Sequence, residues 1–210
     1  MSKKDKKGDG DKESNTEYLL KCIIISIIFF VVLILLTIFI IFLVLRPTKP
    51  KFWLQDVTVY NLTLSKDEGH YLTTTMQVTL SSYNSNRRIG VAYDKLDVYV
   101  DYRQQQVTIP TALNSVYQGK KDVNVWSPFL YGIGVPVAEY MCVDMAHDKI
   151  AGLVLVHIKV AGRVRWKVGT WMSGHYHIRV SCPAFLTVDE NDSKGDSFKF
   201  QQITRCSVDV

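Results

Sequence analysis

Residues Cys22 to Leu45 read CIIISIIFFVVLILLTIFIIFLVL, a run in which only Ser26 and Thr37 are polar and no residue is charged. At the rise of an α-helix such a run reaches ~36 Å, enough to cross a hydrocarbon core of ~30 Å with some tilt. A helix on the surface of a soluble domain needs a polar face, and this one has none. It is also much longer than the ~7–15 apolar residues of a cleaved signal peptide, and Val44-Leu45-Arg46-Pro47 offers no small-x-small cleavage site. The sequence therefore predicts a retained signal anchor over residues 19–45.

The flanks predict its orientation. Lys3, Lys4, Lys6, Lys7, Lys12 and Lys21 precede the run, whereas Arg46, Lys49, Lys51 and Lys66 follow it. The excess of positive charge on the N-terminal side points to a cytosolic N-terminus, with the C-terminal residues facing the secretory lumen and then the cell exterior. Residues 1–18 are charged and carry no apolar periodicity, so they read as a disordered cytosolic tail. Residues 46–51 contain Pro47 and Pro50 and read as a stiff, extended stalk. About 165 residues remain beyond the anchor, which suits a single core. The net charge of +5 comes partly from the lysine-rich head and gives no reason to expect a nucleic-acid partner.

Beyond the stalk the hydrophobic period changes to two. Leu72, Thr74, Met76, Val78 and Leu80 alternate with Tyr71, Thr73, Thr75, Gln77 and Thr79. Similar alternation runs through Leu96–Asp101, Val154–Val160, Arg163–Val168 and His175–Cys182. These are half-buried strands, with one face on a core and the other in water. Turn residues separate them at Lys66–Gly69, Ser81–Asn86, Gln118-Gly119 and Asp189–Asp196. Only Val137–His147 suits a short helix better. The expected fold is mainly β, a two-sheet sandwich of immunoglobulin or fibronectin type III style spanning residues 52–210.

Several motifs resemble a known family when taken in order. They are Arg46-Pro47-x-Lys49-Pro50-x-Phe52 with Leu54, Asp56 and Val57, then Asn84-Ser85-Asn86-Arg87-Arg88-Ile89-Gly90-Val91-Ala92-Tyr93-Asp94. Val116-Tyr117-Gln118-Gly119-Lys120-Lys121, Val164-Arg165-Trp166-Lys167-Val168-Gly169 and the terminal Cys206-Ser207-Val208-Asp209-Val210 complete the set. Together they resemble the plant NHL proteins, named for non-race-specific disease resistance and harpin-induced members. The outer domain of that family is the group-two late-embryogenesis-abundant (LEA-2) domain, a β-sandwich. The resemblance implies a plasma-membrane protein tied to pathogen defence or stress signalling, with a protein partner in that signalling and no enzymatic activity. A lipid- or osmotic-stress-protective role is the alternative that the late-embryogenesis name suggests. The family's usual Asn-Pro-Asn is Asn84-Ser85-Asn86 here.

Cys22 lies in the apolar run, which leaves Cys142, Cys182 and Cys206 in an oxidising compartment with three possible single pairings. The family's terminal cysteine pattern, and the position of Cys182 and Cys206 at the ends of strand-like runs, point to Cys182–Cys206. Three buried free thiols are the other reading. Asn61-Leu62-Thr63 and Asn191-Asp192-Ser193 are N-x-[ST] acceptors beyond the anchor, so Asn61 and Asn191 are expected to be glycosylation sites.

No catalytic or cofactor motif stands out. His175-Tyr176-His177 puts two imidazoles on one strand face, but no third metal ligand is evident. Asp189–Asp196 is rich in oxygen ligands, yet Gly195 is at the seventh place and Phe200 stands where an EF-hand needs its bidentate Glu. Gly132-Ile133-Gly134 lacks a third glycine and a following helix. Cys206 is one residue too far from the end for prenylation, and no apolar tail follows for a GPI signal. One binding feature is legible. Lys159, Arg163, Arg165, Lys167, His175, His177 and Arg179 fall on the solvent side of consecutive strands, and no acidic residue lies between Lys149 and Cys182. If these strands are neighbours, the side chains form a basic stripe that attracts polyanions such as pectin or the head groups of an outer leaflet. A solvated face whose charges block edge-to-edge pairing is the competing reading.

Overall fold

The computed structural model describes residues 9–44, 47–65, 70–188 and 197–210, and divides the chain into two units, Met1–Arg46 and Pro47–Val210. The described residues of the first unit form one helix, α1 (Asp9–Val44). Within it Leu20–Ile40, 21 residues, is long and apolar enough to cross a membrane. None of that segment is buried, so its apolar surface, which has no polar face, is left for lipid to cover. Thr37 resolves its polarity locally, donating its hydroxyl to the Leu33 carbonyl at 2.8 Å, which leaves no unpaired hydroxyl in an apolar surround. The helix also takes in Asp9 and the residues up to 18, which the sequence placed in a disordered tail.

In the second unit the period-two sequence becomes two antiparallel sheets. β1 (Lys51–Ser65), β2 (Tyr71–Tyr83), β7 (Val123–Trp126), β8 (Phe129–Pro136) and β13 (Thr204–Arg205) form the smaller, in which β1 and β2 lie between β13 and β7, and β8 also pairs with β2. The larger is built on three long neighbours, β11 (Tyr176–Val188), β9 (Leu153–Val168) and β3 (Gly90–Tyr102). β4 (Gln105–Gln106), β5 (Thr111–Leu113) and β6 (Val116–Gln118) pair with β3, β10 (Trp171–Met172) with β9, and β12 (Phe198–Phe200) and β14 (Ser207–Asp209) with β11. The segments 154–160 and 163–168 are one continuous 16-residue strand. Gly162 keeps it continuous, because a Cβ there would collide with the Lys95 carbonyl oxygen on β3, where the pairing shifts register between Tyr93 and Lys95.

The core lies between the sheets. Leu54, Val78, Leu80 and Leu130 from one side meet Val98, Val100, Ile158, Val160 and Val180 from the other, all buried. Phe52, Tyr93 and Trp126 form an aromatic cluster, with Tyr93 edge-on to both others at centroid distances of 6.1 and 5.4 Å. Burial pushes the Tyr93 hydroxyl well above the usual phenol range, and it donates to Gln118 at 2.9 Å. The two-sheet sandwich is as expected, but nothing in this topology is specific to immunoglobulin or fibronectin domains. The expected helix is α2 (Glu139–Ile150), shifted toward the C-terminus, with Met141, Cys142 and Met145 buried.

The chain's last segment changes sheets. β13 pairs with β1, β14 pairs with β11, and Cys206 stands at the crossing, bonded to Cys182 of β11 with a Cα–Cα separation of 4.2 Å. The Cys182–Cys206 pairing is therefore present, and Cys142 is a buried thiol outside it.

The segment expected to be a stalk is tied to the sandwich. Thr48 donates its N–H to Asn86 Oδ1 at 2.9 Å and accepts from Asn86 Nδ2 at 2.9 Å, and Pro50 is buried. Asn84, fully buried, donates to the carbonyls of Ile89 and Gly119 at 2.8 and 2.7 Å. The Asn84-Ser85-Asn86 motif is thus a hydrogen-bonding post that satisfies loop carbonyls cut off from water.

Candidate functional site

Six of the seven basic residues read from the sequence belong to the outer face of the larger sheet, on the neighbouring strands β9 and β11, and His175 immediately precedes β11. His177 lies opposite Arg163, and Arg163 opposite Lys95 of β3. Arg179 lies opposite Ala161, and Ser181 opposite Lys159. The side chains point outward because their neighbours Val160, Val164, Ile178 and Val180 fill the core face of the same strands.

The charge balance differs from the sequence expectation. The stretch 149–182 carries no acid, but the adjoining strand β3 supplies Asp94, Asp97 and Asp101 to the same face. Arg165 grips Asp94 through two hydrogen bonds, from Nε to Oδ2 at 2.8 Å and from Nη2 to Oδ1 at 2.5 Å. This fork holds the Asp94 carboxyl below the usual carboxylate range. His175 Nε2 lies 3.5 Å from Oδ2 of the same carboxylate, the oxygen that Arg165 Nε also bonds. Lys159 pairs with Asp101, and Lys167 places its ammonium 5.0 Å from the centroid of the Tyr117 ring. On the far side Asp209 of β14 lies opposite Arg179, and Lys95 sits 3.4 Å from Asp97.

A continuous stripe is therefore not what the sheet presents. Lys159, Arg165 and His175 are paired with carboxylates, and Lys167 covers a tyrosine. Arg163, His177 and Arg179 remain exposed, and Lys95, paired with Asp97, continues their cross-strand row onto β3. Sequence reasoning missed the acidic partners because they lie some sixty residues away in the chain; the signal was the run Asp94–Asp101, whose alternation already put Asp97 and Asp101 on one face.

The remaining candidates are dispersed. Asn61 is exposed on β1, at a register shift between Val59 and Asn61, whereas Asn191 lies outside the described residues, as does the whole Asp189–Asp196 loop. Among the described residues no three His, Cys, Asp or Glu side chains are grouped so as to hold a metal ion.

Comparison with known proteins gives the lineage. The late embryogenesis abundant protein family LEA_2 matches residues 79–183, from within β2 to within β11. The chain is 47% identical over 197 residues to NDR1/HIN1-like protein 1 of Arabidopsis thaliana, covering 91% of this chain and 94% of that one. It is 45% identical to NDR1/HIN1-like protein 12 over 88% of this chain and 89% of the other. To NDR1/HIN1-like protein 26 it is 36% identical, with 84% and 82% covered; both are from the same plant. With such identity over nearly its whole length, the chain belongs to the NDR1/HIN1-like family, and its β-sandwich carries that family's LEA_2 domain.

Proposed function

We propose that this chain is a single-pass plasma-membrane protein of the plant defence or stress response, anchored by α1 with its N-terminus in the cytosol and its β-sandwich outside the cell. The observation that carries the reading is the Cys182–Cys206 disulfide in a domain that follows an apolar helix. Such bonds persist in the secretory lumen and at cell surfaces, while cytosolic thiols are kept reduced. The lysine excess before the helix and the exposed acceptor Asn61 after it agree with that orientation. The names of the relatives support the defence or stress assignment and a role without catalysis.

The domain acts by binding. Its partner is a protein of the defence response, and the exposed row of Lys95, Arg163 and His177 with Arg179 is the surface suited to a cell-wall polyanion or lipid head groups. The late-embryogenesis name favours a second reading, protection of membranes during drying. Expression only on desiccation, with no response to elicitor, would select that one.

Topology is the first test. Expressed in plant cells, the full chain should lose mobility-retarding glycan on deglycosylation, and Asn61→Gln should reduce or remove that change. A C-terminal tag should be cleaved by protease added outside intact protoplasts. A tag protected outside and digested only after the cells are opened would overturn the orientation.

A further inference from the structure

The outer face of the smaller sheet is uncharged over most of its length. Val57–Ser65 of β1, Tyr71–Thr79 of β2 and Phe129–Pro136 of β8 contain no Asp, Glu, Lys, Arg or His apart from none at their centre or ends. What they turn outward includes large apolar groups: Tyr60 is 59% exposed, Phe129 41%, Tyr131 46% and Ile133 75%. These point away from the core because Leu62, Met76, Val78 and Leu130 fill the inner face of the same strands. Tyr60 reaches across β2 to Phe129, with ring centroids 5.8 Å apart, and its hydroxyl donates to Gln77 Oε1 at 3.2 Å. Phe129 in turn stacks with Tyr131 at 6.3 Å. Exposed apolar surface gathered in this way marks a place that something covers.

The register of the sheet puts a candidate cover beside the rings. β1 bulges between Val59 and Asn61, so Tyr60 and Asn61 both turn outward. With strict alternation one of the two would face the core. Asn61 lies opposite Thr75 of β2, and Thr75 lies opposite Tyr131 of β8. The three form one outward row, ~10 Å from end to end at the usual strand spacing. Asn61 also opens the acceptor Asn61-Leu62-Thr63, in which Thr63 is exposed as well. Among the described residues nothing hydrogen-bonds the Asn61 side-chain amide; only its backbone carbonyl is engaged by a side chain, that of Thr74.

In the secretory lumen such an amide nitrogen displaces lipid pyrophosphate from the anomeric carbon of a lipid-linked oligosaccharide. The N-glycosidic bond forms as the lipid pyrophosphate and a proton leave. We propose that the glycan so attached to Asn61 lies along the Asn61–Thr75–Tyr131 row and covers the rings of Tyr60, Phe129 and Tyr131. The C–H faces of its first pyranose rings pack on the aromatics, while Thr73 and Thr75 face its hydroxyls. A face without charge suits an occupant whose core is uncharged. Stacking of this kind is weak between free molecules, but covalent attachment makes the contact intramolecular and so removes most of the cost of association. The inference rests on the outward orientation proposed above.

The test is hydroxyl-radical footprinting, read by peptide mass spectrometry, on the full chain purified from plant cells into phosphatidylcholine nanodiscs. Labelling of Tyr60, Phe129 and Tyr131 should rise severalfold when the glycan is removed enzymatically. The same rise is expected in Asn61→Gln and in Thr63→Ala, which keeps Asn61 but destroys the acceptor and so confines the effect to this glycan. Tyr117 and Trp171, exposed on the larger sheet, should label equally in every sample. An unmodified Asn61 in a chain whose C-terminal tag is cleaved outside the cell would overturn the covering and leave the orientation standing. An unmodified Asn61 with a protected tag would overturn both. A glycosylated Asn61 with ring labelling unchanged by glycan removal would overturn the covering alone, the face being held by lipid if labelling is low throughout and open to water if it is high.

Discussion

Asp94 shows how one side chain changes the reading of a whole surface. It sits at the register shift of β3 and takes both Arg165 and His175, so two of the residues that would have drawn in a polyanion are already engaged. Its carboxyl is held below the ordinary value of 3.8, first by the Arg165 hydrogen bond and then by the charges of Arg165, His175 and Arg163. A carboxyl depressed by folding contributes stability that is present above its unfolded value and disappears as the pH falls through the folded one. Asp94→Asn should therefore melt at a lower temperature than the parent at neutral pH. The gap should close as the pH drops below about 3.8. Thermal unfolding of both chains across that range checks this, and a gap that persists unchanged in stronger acid would assign the pair no such role.

At the scale of elements, β9 does the most to order the domain, since it pairs along its length with both β3 and β11. Its middle depends on the absence of a side chain at Gly162. A methyl there must displace the backbone at Lys95 and Leu96, because it meets the Lys95 carbonyl oxygen and Leu96 Cα as well as the buried Leu96 side chain. Overpacking of this kind costs about 1–3 kcal/mol, so Gly162→Ala should lower the urea midpoint by the corresponding amount. Gly174→Ala is the matched control, as nothing lies within 4 Å of the added carbon. Equal midpoints for the two variants would mean that the β3–β9 approach relaxes at little cost.

For the sandwich as a whole, closure rests on the C-terminal segment that leaves the smaller sheet as β13 and joins the larger as β14. The disulfide fixes the crossing point and closes a loop with a sequence separation of 24. In the chain-entropy account, a loop of that length contributes about 3 kcal/mol by restricting the unfolded chain. Cys182→Ser or Cys206→Ser should then lower Tm by roughly 6–12 °C for a domain of this size. Reductant should produce a similar loss in the parent and none in the variants. A parent whose Tm ignores reductant would show that the packed strands alone hold the crossing.

The features set by local chemistry are legible in the order of the amino acids alone. An apolar run without a polar face can only be a spanning or fully buried helix, and alternation at period two marks the long strands and their buried faces. The short helix near residue 140 is visible in the same way, since Tyr140, Met141 and Met145 do not alternate. Three matters depend on which distant strands become neighbours. β3 lies beside β9, which turns an unopposed basic stretch into pairs with Asp94 and Asp101. β13 and β14 divide between the sheets, which makes a short C-terminal segment the tie of the sandwich. β8 pairs with β2 on the side away from β1, which sets Tyr131 in line with Asn61. Hydrophobic period assigns each strand a face but carries no information about its partner, and charge neutralisation, closure and the grouping of side chains on a face are all properties of partners.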